Sequence, residues 1–160
     1  MGVGKTFAEA FGKSQRGASI SFPETAGTAF LSVRETDRKY VVGVAESLVS
    51  QGFDLVATRG TARLLNEKGI DCRSINKVRE GRPHIVDMIK NDEVNLIINT
   101  TEGKKAINDS YEIRREALQG KVTYTTTMAG AWALCEAMAF KDKEQVYRLQ
   151  DLHEGIKKAS

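Results

Sequence analysis

Five short strand-like runs, most of them apolar and each followed by a helical pattern, set the strongest limit on what this chain can fold into. The runs lie at residues 29–33, 55–57, 71–75, 94–99 and 122–124. Helical segments follow them at about residues 37–51, from Thr61 to Gly69, at 83–90, at 108–119 and at 129–140. In the first helix Val41, Val44, Ala45 and Leu48 recur at helical spacing, which makes an apolar stripe for a core. Strands that are apolar along their length, alternating with helices, belong to a parallel sheet covered on both faces. Right-handed crossovers follow from the twist of such strands. The predicted fold is therefore α/β: a doubly wound, five-stranded parallel sheet spanning about residues 27–160. Turn chemistry agrees. Gly52 suits the left-handed residue after a helix, and Pro83 suits the first position of one.

The two ends read differently. Residues 5–15 form a short helix with Phe7, Ala10 and Phe11 on one face, and residues 16–27 are turn-formers with little periodicity. A charged helix at about 142–157 closes the chain. The start, Gly2-Val3-Gly4-Lys5-Thr6, mimics the end of a P-loop. The motif's first glycine would precede residue 1 and no apolar strand leads into it, so both of its structural requirements fail.

Charge and cysteine usage exclude several classes. With 24 basic and 21 acidic residues the net charge is only +3, too little for a general nucleic-acid binder. Cys72 and Cys135 stand far apart, with no CxxC and no Cys/His cluster, which fits a reducing compartment and no metal site. No run approaches the roughly 20 apolar residues of a membrane span, and the start lacks a signal-peptide core. A cytoplasmic location and no membrane partner are expected.

In a doubly wound sheet, ligands bind beyond the carboxyl ends of the strands. There the sequence places Ser32, Arg34 and Arg38 after the first strand, and Thr58, Arg59, Gly60 and Thr61 after the second. Asn76, Lys77, Arg79 and Arg82 follow the third. Asn99, Thr100, Thr101, Lys104 and Lys105 follow the fourth, and Tyr124, Thr125, Thr126 and Thr127 the fifth. Hydroxyls, amides and cations converging on one edge describe a phosphate site, above all at the turn from 58 to 61, where a strand runs straight into a helix N-terminus. The plainer reading of Thr58 or Thr61 is a helix cap. No catalytic set accompanies the site. His84 and His153 have no evident partner, and Cys135 falls among core residues of a helix. Glu80 and Glu102 are the only loop carboxylates nearby; Glu80 fits a general base or, more simply, an ion-paired loop residue. The site is expected to bind an anion without transforming it.

Long motifs carry a resemblance. Residues 77–85 (Lys-Val-Arg-Glu-Gly-Arg-Pro-His-Ile) and 97–101 (Ile-Ile-Asn-Thr-Thr) resemble the C-terminal regulatory domain of carbamoyl-phosphate synthetase large subunits. So do residues 31–35, 57–62, 113–115 and 124–127. Residues 2–11 look like the last helix of the preceding ATP-grasp synthetase domain. The resemblance implies a remnant of that domain at 1–16, a linker at 17–26 and a methylglyoxal-synthase-like, Rossmann-like domain at 27–160.

It further implies an allosteric domain that binds nucleoside monophosphates such as UMP and IMP through Ser32, Arg38, Thr58, Gly60, Thr61, Lys77, Asn99 and Thr101. The phosphate would sit between Thr58, Thr61 and Lys77. Arg38 replaces a lysine usual in the family, which keeps the charge but changes its shape. Tyr124 and Thr126 match this domain's share of an ornithine site that the synthetase domain completes. The domain itself would be non-catalytic and need no cofactor. The parent enzyme is a glutamine-dependent ligase using ATP, Mg or Mn, and K, in pyrimidine and arginine biosynthesis. Its partners are the rest of the large subunit and a glutaminase small subunit. Two alternatives remain open at this point. One is a methylglyoxal-synthase-type phosphate elimination, although Gly81-Arg82-Pro83 stands where that family carries a catalytic aspartate. The other is a purely structural or oligomerisation domain.

Overall fold

The computed structural model describes residues 1–18, 22–23, 27–100, 104–140, 145–151 and 153–154, without the side chains of residues 79 and 104–109. Its order is α1 (Phe7–Gly17), β1 (Thr28–Ser32), α2 (Arg38–Ser50), β2 (Asp54–Thr58), α3 (Arg59–Glu67), β3 (Arg73–Ile75), α4 (Ile85–Lys90), β4 (Leu96–Asn99), α5 (Lys104–Gln119), β5 (Thr123–Thr125) and α6 (Met128–Phe140). Short 3-10 turns at Glu35–Asp37 and Val78–Glu80 precede α2 and α4. The five strands form one sheet in the order β3-β2-β1-β4-β5, and every pairing is parallel. The chain thus steps outward from β1 to β3, then returns to build the other half from β4. The direction reverses between β1 and β4, which leaves a crevice at their carboxyl ends.

Strand side chains alternate between two apolar layers, as the pleat requires. Leu31, Leu55, Leu96 and Ile98 face α2, α3 and α6, whose Val41, Leu48, Leu65 and Leu134 complete that layer. Phe30, Val56 and Ile97 face the other way, onto Ile85 and Ile89 of α4 and Ile113 of α5. The helices therefore cover both faces, as the continuous apolar strands foretold. Gly52 and Gly69 follow α2 and α3 with φ of 88° and 80°, the left-handed turn expected at a helix end.

Several boundaries differ from the sequence reading. Helix α1 starts at Phe7, two residues late, because Thr6 is its N-cap. Strand β3 starts at Arg73 and not at 71, and α3 starts at Arg59, ahead of Thr61. Helix α4 begins at Ile85 with His84 as its N-cap, so Pro83 precedes the cap and is not the first helical residue. Asp87 decides this: its Oδ2 accepts the His84 backbone N–H at 3.0 Å, and a carboxylate three residues past the cap holds the start there. Helix α5 starts at Lys104 where the periodicity placed 108. Of the predicted helix at 142–157, residues 149–151 and 153–154 are helical, 145–148 are not, and the rest lies outside the described residues. No helix among the described residues is long and apolar enough to cross a membrane.

The false P-loop acquires a structural role. Thr6 caps α1, its Oγ1 accepting the Glu9 N–H at 3.2 Å. The preceding residues fold back along the helix. A Cβ on Gly2 would lie 2.0 Å from the Ala10 carbonyl oxygen, so only glycine permits that approach. Helix α1 packs on α6, and Phe11 joins the core layer beneath. Contacts with α1, α2 and β5 bury one side of α6, while Ala129, Trp132, Glu136 and Ala139 stay exposed along the other.

Glu9 ties these parts together. It is buried, and its carboxylate accepts from Lys13 Nζ at 2.7 Å, Lys5 N at 3.0 Å, Tyr147 Oη at 3.2 Å and Gln145 N at 3.3 Å. Lys13 also donates to the Gln145 carbonyl. The Lys13 ammonium, ahead of the other donors, pulls the Glu9 carboxyl down from an ordinary 4.5 to about 2. A depressed carboxyl stabilises the fold above its unfolded value and loses that contribution as pH falls through the folded one. The stability gap between the parent chain and Glu9→Gln should be full above about pH 5 and shrink steadily toward pH 2 in denaturant titrations. A gap that stays flat across that range would remove the carboxylate from this role.

Candidate functional site

The crevice opens into a cavity of about 430 Å³. The strand register explains its wall. Leu31 pairs with Ala57 and Ser32 with Asn99, so Thr58, Ser32 and Asn99 stand in a row across the ends of β2, β1 and β4. Thr58 is also the N-cap of α3, whose first turn adds Gly60 and Thr61. Arg38 reaches in from the start of α2 and Lys77 from the loop after β3. Phe30, on the same strand face as Ser32, joins Val78, Ile85 and Ile113 to line the cavity with apolar surface. The cavity therefore has one cationic, hydroxyl-lined end and an apolar lining.

At the cationic end Thr58 does not act as the plainer reading expected. Its side chain makes no capping hydrogen bond to α3. Its hydroxyl lies 3.4 Å from that of Thr61, and Thr61 Oγ1 accepts the Val33 N–H at 3.4 Å. The helix thus presents its first turn to the cavity without a side-chain cap, at the end where unpaired amides and the helix dipole favour an anion. Arg38 lies alongside. Its Nη1 is 3.4 Å from Glu35 Oε1, while its Nε is buried without a partner. The guanidinium rests on Gly60: a Cβ there would lie 3.0 Å from Arg38 Nη2. A buried donor left unpaired is costly unless a ligand accepts from it.

The β1 and β4 ends are locked to each other. Thr100 N donates to the Ser32 carbonyl at 2.9 Å, and Arg34 N donates to Thr100 Oγ1 at 3.1 Å. Asn99 donates from Nδ2 to Ser110 Oγ and to Tyr124 Oη, each at 3.0 Å.

Seven of the eight expected nucleotide-site residues line this cavity: Ser32, Arg38, Thr58, Gly60, Thr61, Lys77 and Asn99. The eighth, Thr101, lies outside the described residues, as does Glu102. Tyr124 and Thr126 are not in the wall, although the Tyr124 hydroxyl meets Asn99 behind it, and Thr126 is exposed. Glu80 caps the 3-10 turn, accepting the Lys77 N–H at 3.0 Å, and does not reach the cavity. His84 lies outside the wall, with Nδ1 3.3 Å from Asp87 Oδ2. Burial pushes both cysteine thiols up to about 11, the state of core residues. Among the described residues no His/Cys/Asp/Glu group could hold a metal ion.

Sequence reasoning did not single out Phe30, Ile85, Ser110 or Ile113 for the site. Ser110 and Ile113 share a face of α5 by their three-residue separation, and that much was legible. That this face meets the β4 end is a tertiary fact.

A doubly wound domain with an anion-suited pocket at its topological switch point defines the class. This chain belongs to the MGS-like domain family, whose sequence model matches residues 40–126. Within that family it is similar to carbamoyl phosphate synthase large chains. It is 61% identical to that of Pseudomonas aeruginosa over 157 residues, which are 98% of this chain and 14% of that one. It is 53% identical to that of Xanthomonas axonopodis pv. citri over 156 residues, with the same two shares. The chain thus spans about 14% of the length of these relatives, and the match falls in their C-terminal part. A crystal structure of methylglyoxal synthase from Elizabethkingia anophelis superposes with a TM-score of 0.56 at 16% identity, covering 71% of this chain and 79% of that one. That likeness concerns the fold alone.

Proposed function

We propose that this chain is the effector-binding regulatory domain of a carbamoyl phosphate synthase large chain, and that its cavity takes nucleoside monophosphates such as UMP and IMP. One observation carries the reading: the uncapped first turn of α3 and the Arg38 side chain, whose buried Nε has no partner, belong to the lining of one cavity. The phosphate sits at Thr58, Gly60 and Thr61, neutralised by Arg38 and Lys77, and the nucleoside extends along the apolar lining past Ser32 toward Asn99, with Thr101 proposed as a further nucleotide-binding residue. Tyr124 and Thr126 contribute to an ornithine site that another part of the polypeptide completes. Residues 1–16 are the end of the preceding synthetase domain, 17–26 a linker and 27–160 the effector domain. ATP, Mg or Mn, K and the glutaminase subunit belong to the rest of this cytoplasmic ligase of pyrimidine and arginine biosynthesis. Effectors act by linkage: a nucleotide that prefers one arrangement of this domain against the rest shifts the enzyme by that preference, typically about 1–3 kcal/mol.

The only carboxylate among the described wall residues is Glu35, which is paired with Arg38. Proton abstraction needs a base within reach of its substrate, so elimination chemistry gains no support here. Calorimetric titration of the chain with UMP and IMP, against uridine and inosine, tests the proposal. Saturable binding that requires the phosphate supports it, and a folded chain that binds none of them overturns it.

Gly60→Ala offers a second test with opposed outcomes. Alanine in place of a helical glycine should stabilise α3 by up to about 1 kcal/mol. The same methyl displaces the Arg38 guanidinium, 3.0 Å away, and should weaken UMP binding. Melting and titration measured together should move in opposite directions. An unchanged affinity would show that Arg38 does not need its place on Gly60.

A further inference from the structure

Asn99 closes β4 at the crevice and is 2% exposed. A side-chain amide offers two N–H donors and one carbonyl acceptor. Both donors are committed, to Ser110 Oγ on α5 and to Tyr124 Oη on β5. The Asn99 carbonyl Oδ1 makes no hydrogen bond among the described residues, on a side chain that lines the cavity. Tyr124 is itself held: the Arg114 guanidinium lies 5.9 Å from its ring centroid, and Arg114 Nε is 3.5 Å from its hydroxyl. Asn99 is thus gripped from two elements, with its rotation fixed and an acceptor left over.

The sheet says where that acceptor stands. Thr58, Ser32 and Asn99 occupy adjacent strands in register, so Asn99 lies about 9–10 Å, two strand spacings, from the Thr58 end. Anion-binding groups occupy the Thr58 end. Whatever meets Asn99 is the part of the ligand remote from its phosphate.

We propose that Tyr124 and Ser110 are positioning residues that hold Asn99 with its carbonyl toward the cavity, so that the site selects phosphate esters carrying an O–H or N–H donor remote from the phosphate. This rests on the nucleoside monophosphate reading of the cavity. A site built around a fixed acceptor rejects analogues that lack the donor, because the acceptor is then left unpaired. In a nucleoside monophosphate the first such donors along the molecule are the ribose hydroxyls, and the next is the N–H of the base.

The test uses Tyr124→Phe, which removes one oxygen and alters no atom of the cavity wall, with Ser110→Ala as a second variant. Each is titrated with UMP, 2′,3′-dideoxy-UMP, 3-methyl-UMP and inorganic phosphate, with a melting curve to verify folding. UMP should bind Tyr124→Phe about five- to tenfold more weakly, the worth of one hydrogen bond. Inorganic phosphate should bind it as it binds the parent. The penalty should vanish for dideoxy-UMP if Asn99 reads a sugar hydroxyl, or for 3-methyl-UMP if it reads the base. A penalty equal for every ligand, phosphate included, would reduce Tyr124 to a general structural role and overturn the proposal. No penalty at all would overturn it too, while leaving the nucleotide reading intact. A parent chain that takes phosphate but not UMP would remove the nucleotide reading and this inference with it.

Discussion

Phe30→Ala is expected to lower stability by about 3–5 kcal/mol, the usual cost of truncating a buried phenylalanine. Phe30 is 1% exposed at the centre of the middle strand, paired with Val56 on one side and Ile97 on the other. Its ring packs in the layer formed with Ile85, Ile89 and Ile113. Close packing lets the neighbours relax only in part, so lost contacts and a residual void add. Against a typical total of about 5–15 kcal/mol, that is a large share. The melting temperature should drop by roughly 6–20 °C, given the usual shift per kcal/mol for a domain of this size. Denaturant midpoints measure it, and an unchanged denaturant slope would confirm that the folded core is what changed. Because Phe30 also forms part of the cavity wall, the surviving fold should bind UMP more weakly. A loss under about 1 kcal/mol would mean that this layer is far more plastic than its burial implies.

The second large effect concerns affinity. In the proposed complex Arg38 and Lys77 are the two cations that the described cavity wall offers a phosphate besides Arg34, which is bound to Asp37 at 2.9 Å. A hydrogen bond to a charged group contributes about 1.5–3 kcal/mol. Removing both cations in Arg38→Ala/Lys77→Ala should therefore weaken UMP by roughly a hundredfold to ten-thousandfold. Uridine, without the phosphate, should be indifferent to the change. The parent's affinity should also fall with added salt, and the double variant's should fall less. A loss smaller than about tenfold would place the phosphate elsewhere. Neither residue lies in an apolar layer, so the variant should melt near the parent temperature.

Much of the architecture was written locally. The stripe Val41, Val44, Ala45, Leu48 declared a buried helix face, and all four side chains are fully buried. The continuous apolar runs at 29–33 and 94–99 declared strands covered on both sides, and Gly52 and Gly69 marked helix ends. Residue periodicity reports these things because each depends only on which neighbours share a face. The Pro83 rule misled because a stronger local signal, the Asp87 carboxylate three residues past His84, set the helix start. Sequence also showed that 129–140 is a long apolar helix. It did not show that a helix from the chain's start would cover it.

By itself, then, the sequence determined the element types, the parallel sheet and the kind of chemistry gathered at its carboxyl edge. Hydropathy period, turn residues and side-chain type are properties of short stretches. Only the tertiary structure decided the strand order β3-β2-β1-β4-β5, and with it the crevice between β1 and β4. It decided that Thr58 leaves α3 uncapped, that Arg38 lies on Gly60, and that Ser110 and Tyr124 meet at Asn99. Those contacts join residues far apart in the chain. They exist because crossover geometry and close packing bring separate elements together, and no local pattern encodes that.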